Sequence, residues 1–91
     1  MLEFEWAPIK AMENLRKHGI CFVEASTVFA DPFAGFFYDP DHSDEADRFL
    51  AIGISENGRF LVVSFTERGD NIRIISARRA KPRERASYGR E

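Results

Sequence analysis

Cysteine is almost missing from this chain. Cys21 is the only one in 91 residues, so no intramolecular disulfide framework is available, and a lone thiol fits a reducing compartment. No apolar run approaches the roughly 18 residues that a membrane-spanning helix requires. The first residues lack the basic, apolar and small-residue succession of a signal peptide. The expected location is therefore the cytoplasm, with no membrane partner. Internal repeats and low-complexity tracts are absent. So are the P-loop, the GxGxxG fingerprint, the nucleophile elbow and any zinc-type spacing of Cys and His. Asp39, Asp41, His42, Asp44 and Asp47 have the composition of a metal loop but not its pattern. The sixth position from Asp39 is Asp44 where a calcium loop needs Gly, and the twelfth is Leu50 where it needs Glu. No metal and no cofactor are expected.

What the chain does have is an uneven distribution of charge. Residues 71–91 hold seven Lys or Arg (Arg73, Arg78, Arg79, Lys81, Arg83, Arg85, Arg90) against Glu84 and Glu91, a balance of +5. Residues 1–70 hold six basic and thirteen acidic side chains, a balance of −7, and the two parts sum to the net −2. An overall pI near 5.7 thus conceals a basic end on an acidic body. Clustered Arg attracts phosphate; the plainer reading is a solvated, charged helix. With 44% hydrophobic residues and nine Phe, the 91 residues suffice for one small domain with a core of its own, spanning 1–91.

Periodicity outlines the elements. Leu2–Trp6 alternates as a short half-buried strand. Pro8 opens a helix through Ile9, Met12, Leu15 and Arg16, and Gly19 suits its end, with Arg16, Lys17 and His18 in the last turn where the dipole favours cations. A second helix follows. Glu24 stands three residues after Cys21, in the capping-box position, with Phe22, Ala25, Val28 and Phe29 as its apolar stripe, and Asp31-Pro32 ends it. Phe36–Tyr38 has strand character. Phe49–Ser55 alternates around Leu50, Ile52 and Ile54. Asn57-Gly58 signals a hairpin. Phe60–Glu67 places Leu61, Val63 and Phe65 on one face, and Gly69-Asp70-Asn71 turns the chain again. Strict alternation over Ile72–Arg79 puts Ile72, Ile74, Ser76 and Arg78 on one face and Arg73, Ile75, Ala77 and Arg79 on the other. Pro82 opens a last helix over Arg83–Tyr88. The expected fold is α+β in the order β-α-α-β-β-β-β-α, an antiparallel sheet packed on two helices with a short C-terminal helix.

Two further polar clusters compete with the acidic loop. Arg16-Lys17-His18-Gly19 contains a histidine, the side chain that exchanges protons near neutrality; the plainer reading is that His18 and Lys17 complement a helix terminus. Glu67-Arg68 and Arg78-Arg79 lie at the ends of successive strands. In a hairpin around residues 68–71, Glu67 falls opposite about Asn71 or Ile72. The arginine pair then lies some six residues away, roughly 20 Å. Turn solubility explains the first pair equally well, and a charged, aggregation-resistant strand edge the second.

Taken in order, FEWAPIKAMENLRKHGICFVEASTVFADP, DPDHSDEADRFLAIGIS and RFLVVSFTERGDNIRIISARRAKPRERASY resemble the BrnT family of bacterial toxins over nearly the whole chain. The most specific pieces are Asn14–Gly19, Arg48-Phe49 with Ile52-Gly53, Ile74–Arg79 and Arg83-Glu84-Arg85. The resemblance implies a RelE-like fold, the toxin half of a type II toxin–antitoxin pair, and endoribonuclease activity that blocks translation. It also implies a BrnA-type antitoxin with a ribbon-helix-helix part, through which the complex binds its own promoter DNA. Because such DNA-binding folds are two-fold symmetric, a 2:2 complex is expected. Family members usually carry Asp before the Pro of the first helix; here Ala7 stands there and a cap is lost.

Metal-independent RNA cleavage needs a base for the 2′-OH, positive charge for the phosphorane and an acid for the leaving oxygen. The chain offers His18 or Glu67 for proton transfer and Lys17, Arg68, Arg78 and Arg79 as phosphate clamps. Arg73, Lys81, Arg83, Arg85 and Tyr88 extend this as an RNA-binding surface, with Trp6 or Tyr88 able to stack a base. Which residue is base and which acid stays open at this point. The alternatives are a non-catalytic nucleic-acid or protein binding module, a toxin of the same fold acting on DNA gyrase, and a degenerate family member with no activity.

Overall fold

A computed structural model describes residues 2–86 together with 88 and 89. Ser87, inside the expected last helix, and Arg90 and Glu91, counted in the basic end, lie outside the described residues. Strand β1 (Glu3–Glu5) leads into helix α1 (Pro8–His18), whose N-terminus carries no side-chain cap at Ala7. Gly19 ends α1 with φ 71°, a left-handed conformation natural to glycine, and donates its N–H to the Leu15 carbonyl at 2.9 Å. Helix α2 (Phe22–Thr27) starts at Cys21, whose Sγ accepts the Glu24 N–H at 3.5 Å, and continues as a 3₁₀ turn over Val28–Ala30. β2 (Gly35–Tyr38), β3 (Arg48–Ile54), β4 (Phe60–Arg68), β5 (Asn71–Arg79) and helix α3 (Pro82–Arg85) complete the chain. No helix among the described residues is long and apolar enough to cross a membrane.

The five strands form one sheet in the order β1-β5-β4-β3-β2. The sheet is mixed, not antiparallel throughout, because β1 runs parallel to β5. Hairpins join only strands that are neighbours in sequence. Here the two helices carry the chain across one face of the sheet, and β1 is left beside the last strand, pointing the same way. Beyond the three paired residues of β1, Asn14 of α1 takes over the edge of β5. Its amide accepts the Ala77 N–H at 3.0 Å and donates to the Ala77 carbonyl at 2.9 Å, as a paired strand would.

The core lies between the helices and one face of the sheet. Ile20, Phe22, Ala25 and Val28 pack on Ala51, Leu61, Val63, Phe65, Ile72, Ile74 and Ala77. Two expectations about strand faces change. On β3 the helix side takes Phe49, Ala51 and Gly53, while Leu50, Ile52 and Ile54 point the other way, in register with Ser64, Val62 and Phe60. The helix layer comes too close for larger residues: a Cβ on Gly53 would stand 2.9 Å from Asp31 Oδ2 and 3.2 Å from Val28 Cγ1. On β5 the alternation breaks at a bulge, where Ser64 pairs with Ser76 but Phe65 with Ile74, leaving Ile75 as the extra residue. Ile72, Ile74, Ala77 and Arg79 thereby share the helix side, and Arg73, Ser76 and Arg78 share the open side. The last helix is shorter than expected and stops at Arg85.

Candidate functional site

The side of the sheet away from α1 and α2 carries polar and apolar side chains in cross-strand rows. One row runs Arg48–Thr66–Arg73–Glu5, the next Leu50–Ser64–Ser76, the third Ile52–Val62–Arg78. Helix α3 covers the third row. α3 lies against β3, and Glu84 takes both Nη groups of Arg78 at 2.8 Å. The Tyr88 ring packs edge-on against Phe60 at 4.7 Å. The loop between β2 and β3 borders the face on the other side. It is drawn tight by the Ser43 hydroxyl, which donates to the Asp39 carbonyl at 2.7 Å and accepts the Arg48 N–H at 2.9 Å. The Asp39 N–H bonds the Arg48 carbonyl at 2.8 Å. Between these borders lies a cleft of about 320 Å³ lined by Asp39, His42, Arg48, Leu50, Ser64, Ser76 and Arg78. A second cleft of about 320 Å³ adjoins it and shares His42 and Arg48, with Asp44, Glu45, Ala46 and Thr66.

The cations of this face differ in how much of them is committed. Arg73 is tied to Glu5 at 2.8 Å, and Arg68 approaches the same carboxylate at 3.7 Å. Asn71 and Arg73 hydrogen bonds, with Arg68 alongside, hold Glu5 below the usual carboxylate range. Arg78 spends its fork on Glu84 and a third N–H on the Arg79 carbonyl at 3.3 Å. Two of its five donors have no partner among the described residues. The Arg78 guanidinium depresses Glu84 to about 2. Arg48 forms no ion pair among the described residues, and its buried Nε–H has no hydrogen-bond partner there. An unsatisfied buried donor costs about 1–3 kcal/mol, and Arg48 lines both clefts.

Of the residues expected from sequence, only Arg78 lines the cleft. His18 and Lys17 sit in the last turn of α1, on the helix layer. Glu67 pairs with Ile72, so it faces the helix side, where it borders an aromatic groove of about 400 Å³ with Leu2, Phe29, Phe36, Tyr38, Phe49 and Phe65. Arg79 shares that side of the sheet at its opposite end, in register with Leu61. The structure thus separates Glu67 from Arg78 and Arg79, as their spacing along β4 and β5 indicated. Lys81, Arg83 and Arg85 are exposed on and beside α3. The Tyr88 hydroxyl donates to Asp31 at 2.6 Å, a bond that, with burial, pushes its pKa to about 12, and its ring also meets Phe33 at 6.3 Å. Trp6 is half-buried against Phe22, ring centres 5.8 Å apart. Among the described residues no group of three or more His, Cys, Asp or Glu side chains is arranged to hold a metal ion. In the acidic loop His42 instead pairs with Asp39, Nδ1 to Oδ2 at 2.9 Å.

Sequence reasoning missed Arg48, Ser64, Ser76 and His42 as neighbours. The alternation of β3 and β4 carried a partial signal, since Arg48, Leu50, Ser64 and Thr66 all sit at the positions between core residues. The β5 bulge, which adds Ser76 and Arg78 to the same side, has none. Also missed was the partner of Glu24. Instead of closing a capping box, this buried carboxylate forms an ion pair with Arg59 and accepts from the Ser55 hydroxyl at 2.7 Å. Arg59 also donates to the Gly19 carbonyl at 3.3 Å, tying the end of α1 to the β3–β4 turn.

Residues 6–84 match the family described as ribonuclease toxin, BrnT, of type II toxin–antitoxin system. The chain belongs to the BrnT family. The crystal structure of the Brucella abortus ribonuclease toxin, BrnT, is similar to it, with a TM-score of 0.67 and 26% sequence identity over 89% of this chain and 99% of that one. No curated protein matches the chain. Membership of the BrnT family makes it a toxin of a type II system, a class defined by pairing with an antitoxin, and gives it a ribonuclease family background.

Proposed function

We propose that this BrnT-family chain is a metal-independent endoribonuclease that cleaves RNA in the cleft on the open face of its sheet and inhibits translation when its antitoxin is absent. The observation that supports this best is Arg48, which forms no ion pair among the described residues, in one cleft with Arg78, with Ser64 and Ser76 in the row between them. Two guanidinium groups across a narrow cleft suit a phosphodiester, whose non-bridging oxygens gain charge as the phosphorane forms. The positive charge that a metal would supply there comes from the two arginines. Lys81, Arg83 and Arg85 on the adjoining helix, and Arg73 in the neighbouring row, extend the phosphate path on either side. Ser64 and Ser76 offer hydroxyls to the sugar or phosphate.

The partner in this reading is a BrnA-type ribbon-helix-helix antitoxin in a 2:2 assembly that binds promoter DNA through the antitoxin. The protein acts in the cytoplasm. The test is expression of the chain alone and with its antitoxin, followed by incubation of the purified protein with RNA in the presence of EDTA. Growth and translation should stop, recover with the antitoxin, and RNA fragments should accumulate despite the chelator. Arg48→Ala should slow cleavage by about 10²-fold, the scale for losing one preorganised donor to a developing oxyanion. Normal growth at verified soluble expression, with intact RNA in vitro, would leave a binding module. DNA-damage signalling without translation arrest would point to gyrase.

A further inference from the structure

We propose that His42, oriented by Asp39, is the general base of RNA cleavage in this chain; the inference rests on the ribonuclease reading above. Three observations carry it. His42 lines both clefts together with Arg48, and one of them with Arg78. Its Nδ1 stands 2.9 Å from Asp39 Oδ2. A carboxylate only accepts hydrogen bonds, so the shared proton belongs to Nδ1, and Nε2 keeps the lone pair a base requires. Asp39 is itself anchored. Its side chain is 15% exposed against 65% for that of His42, and its backbone is held by the Ser43 hydroxyl and the Arg48 carbonyl. The loop therefore presents an exposed imidazole on a fixed mount beside the phosphate-binding arginines.

The step follows from this placement. A phosphodiester held by Arg48 and the remaining donors of Arg78 brings the ribose 2′-hydroxyl toward His42. Nε2 takes the 2′-hydroxyl proton as the 2′-oxygen bonds to phosphorus. The bond from phosphorus to the 5′-oxygen breaks, and that oxygen leaves with a proton from solvent water. The products are a 2′,3′-cyclic phosphate and a 5′-hydroxyl end. Charge on the imidazolium is balanced by Asp39, and charge on the phosphorane by Arg48 and Arg78. The charged groups facing His42 are Asp39, Asp44 and Glu45 from its own loop, Arg48 from β3 and Arg78 from β5.

The experiment uses the full chain, an RNA oligonucleotide, and the same oligonucleotide with 2′-deoxyribose as an uncleavable probe. His42→Ala should lower the cleavage rate by roughly 10²-fold or more, while the deoxy probe binds as tightly as before and the thermal midpoint holds. The rate of the wild-type chain should rise with pH through one limb, which His42→Ala removes. Asp39→Asn should lower the rate by less than His42→Ala and leave binding of the deoxy probe unchanged, because it unseats the imidazole without removing the base. His42→Gln should not restore the rate, since an amide is no base. An unchanged rate and limb in His42→Ala, with wild-type cleavage normal, overturns this inference and leaves the ribonuclease reading intact. Loss of the limb in His18→Ala, with His42→Ala retaining it, also overturns it. A wild-type chain that cleaves no RNA removes both at once.

Discussion

Glu24 shows how much one side chain contributes here. It is buried at 3% exposure, and its charge is met by Arg59, whose hydrogen bonds hold it at about 2, with Ser55 assisting. A carboxyl whose folded pKa lies below its unfolded value stabilises the fold fully above the unfolded value, near 4.5, and loses that contribution as pH falls toward 2. Denaturation of the wild type should therefore become easier between these limits. Glu24→Gln should cost about 3 kcal/mol at neutral pH, because Arg59 is left without its counter-charge, and should flatten the acid limb. Chemical denaturation across pH reads both, and an unaltered acid limb in the variant would assign acid lability elsewhere. Asn14 acts at the same scale. Asn14→Ala strands the N–H and carbonyl of Ala77 on an edge that no strand covers, and the expected loss is about 2–3 kcal/mol, read as a lower thermal midpoint.

Among the elements, α3 is the piece whose role differs from a simple basic helix. Its first turn is built on Glu84, which accepts the Lys81 N–H at 2.7 Å and fills the fork of Arg78. A carboxylate and a phosphate compete for the same guanidinium face. Glu84→Gln should therefore raise affinity for a short RNA while costing about 1 kcal/mol of stability, since the pair is partly solvated. Fluorescence anisotropy together with denaturant titration checks this; unchanged affinity would mean that RNA does not use the Arg78 fork. The β5 bulge sets the other half of the geometry. Deleting Ile75 restores strict alternation and keeps Arg73, Ser76 and Arg78 together on the open side, so cleavage should persist where the fold survives.

For the molecule as a whole, the acidic loop over residues 39–47 borders the open face on one side and the basic segment after β5 on the other. An antitoxin that masks this surface should present an acidic or apolar segment to Lys81, Arg83 and Arg85. Association should then slow as salt rises, because steering between exposed charges is screened within roughly 10 Å at 0.1 M. Stopped-flow rates at two salt concentrations, with light scattering for the expected 2:2 mass, test it. A salt-independent rate with α3 still open to protease would move the inhibitory contact to another surface, such as the aromatic groove beside Glu67.

Local chemistry determined what was legible beforehand. Pro8 and Gly19 bound α1, Asn57-Gly58 closes the β3–β4 hairpin with Gly58 at φ 80°, and the alternation of β4 marks its core side, because each depends on residues adjacent in the chain. The order of motifs along the chain was likewise enough for the family resemblance. Only the tertiary structure decided that β1 lies parallel to β5, that Glu24 meets Arg59, and that His42, Arg48, Ser64, Ser76 and Arg78 line one cleft. Those outcomes depend on register and on a bulge. One extra residue in β5 reverses every side chain beyond it, and strand propensity is the same for either face.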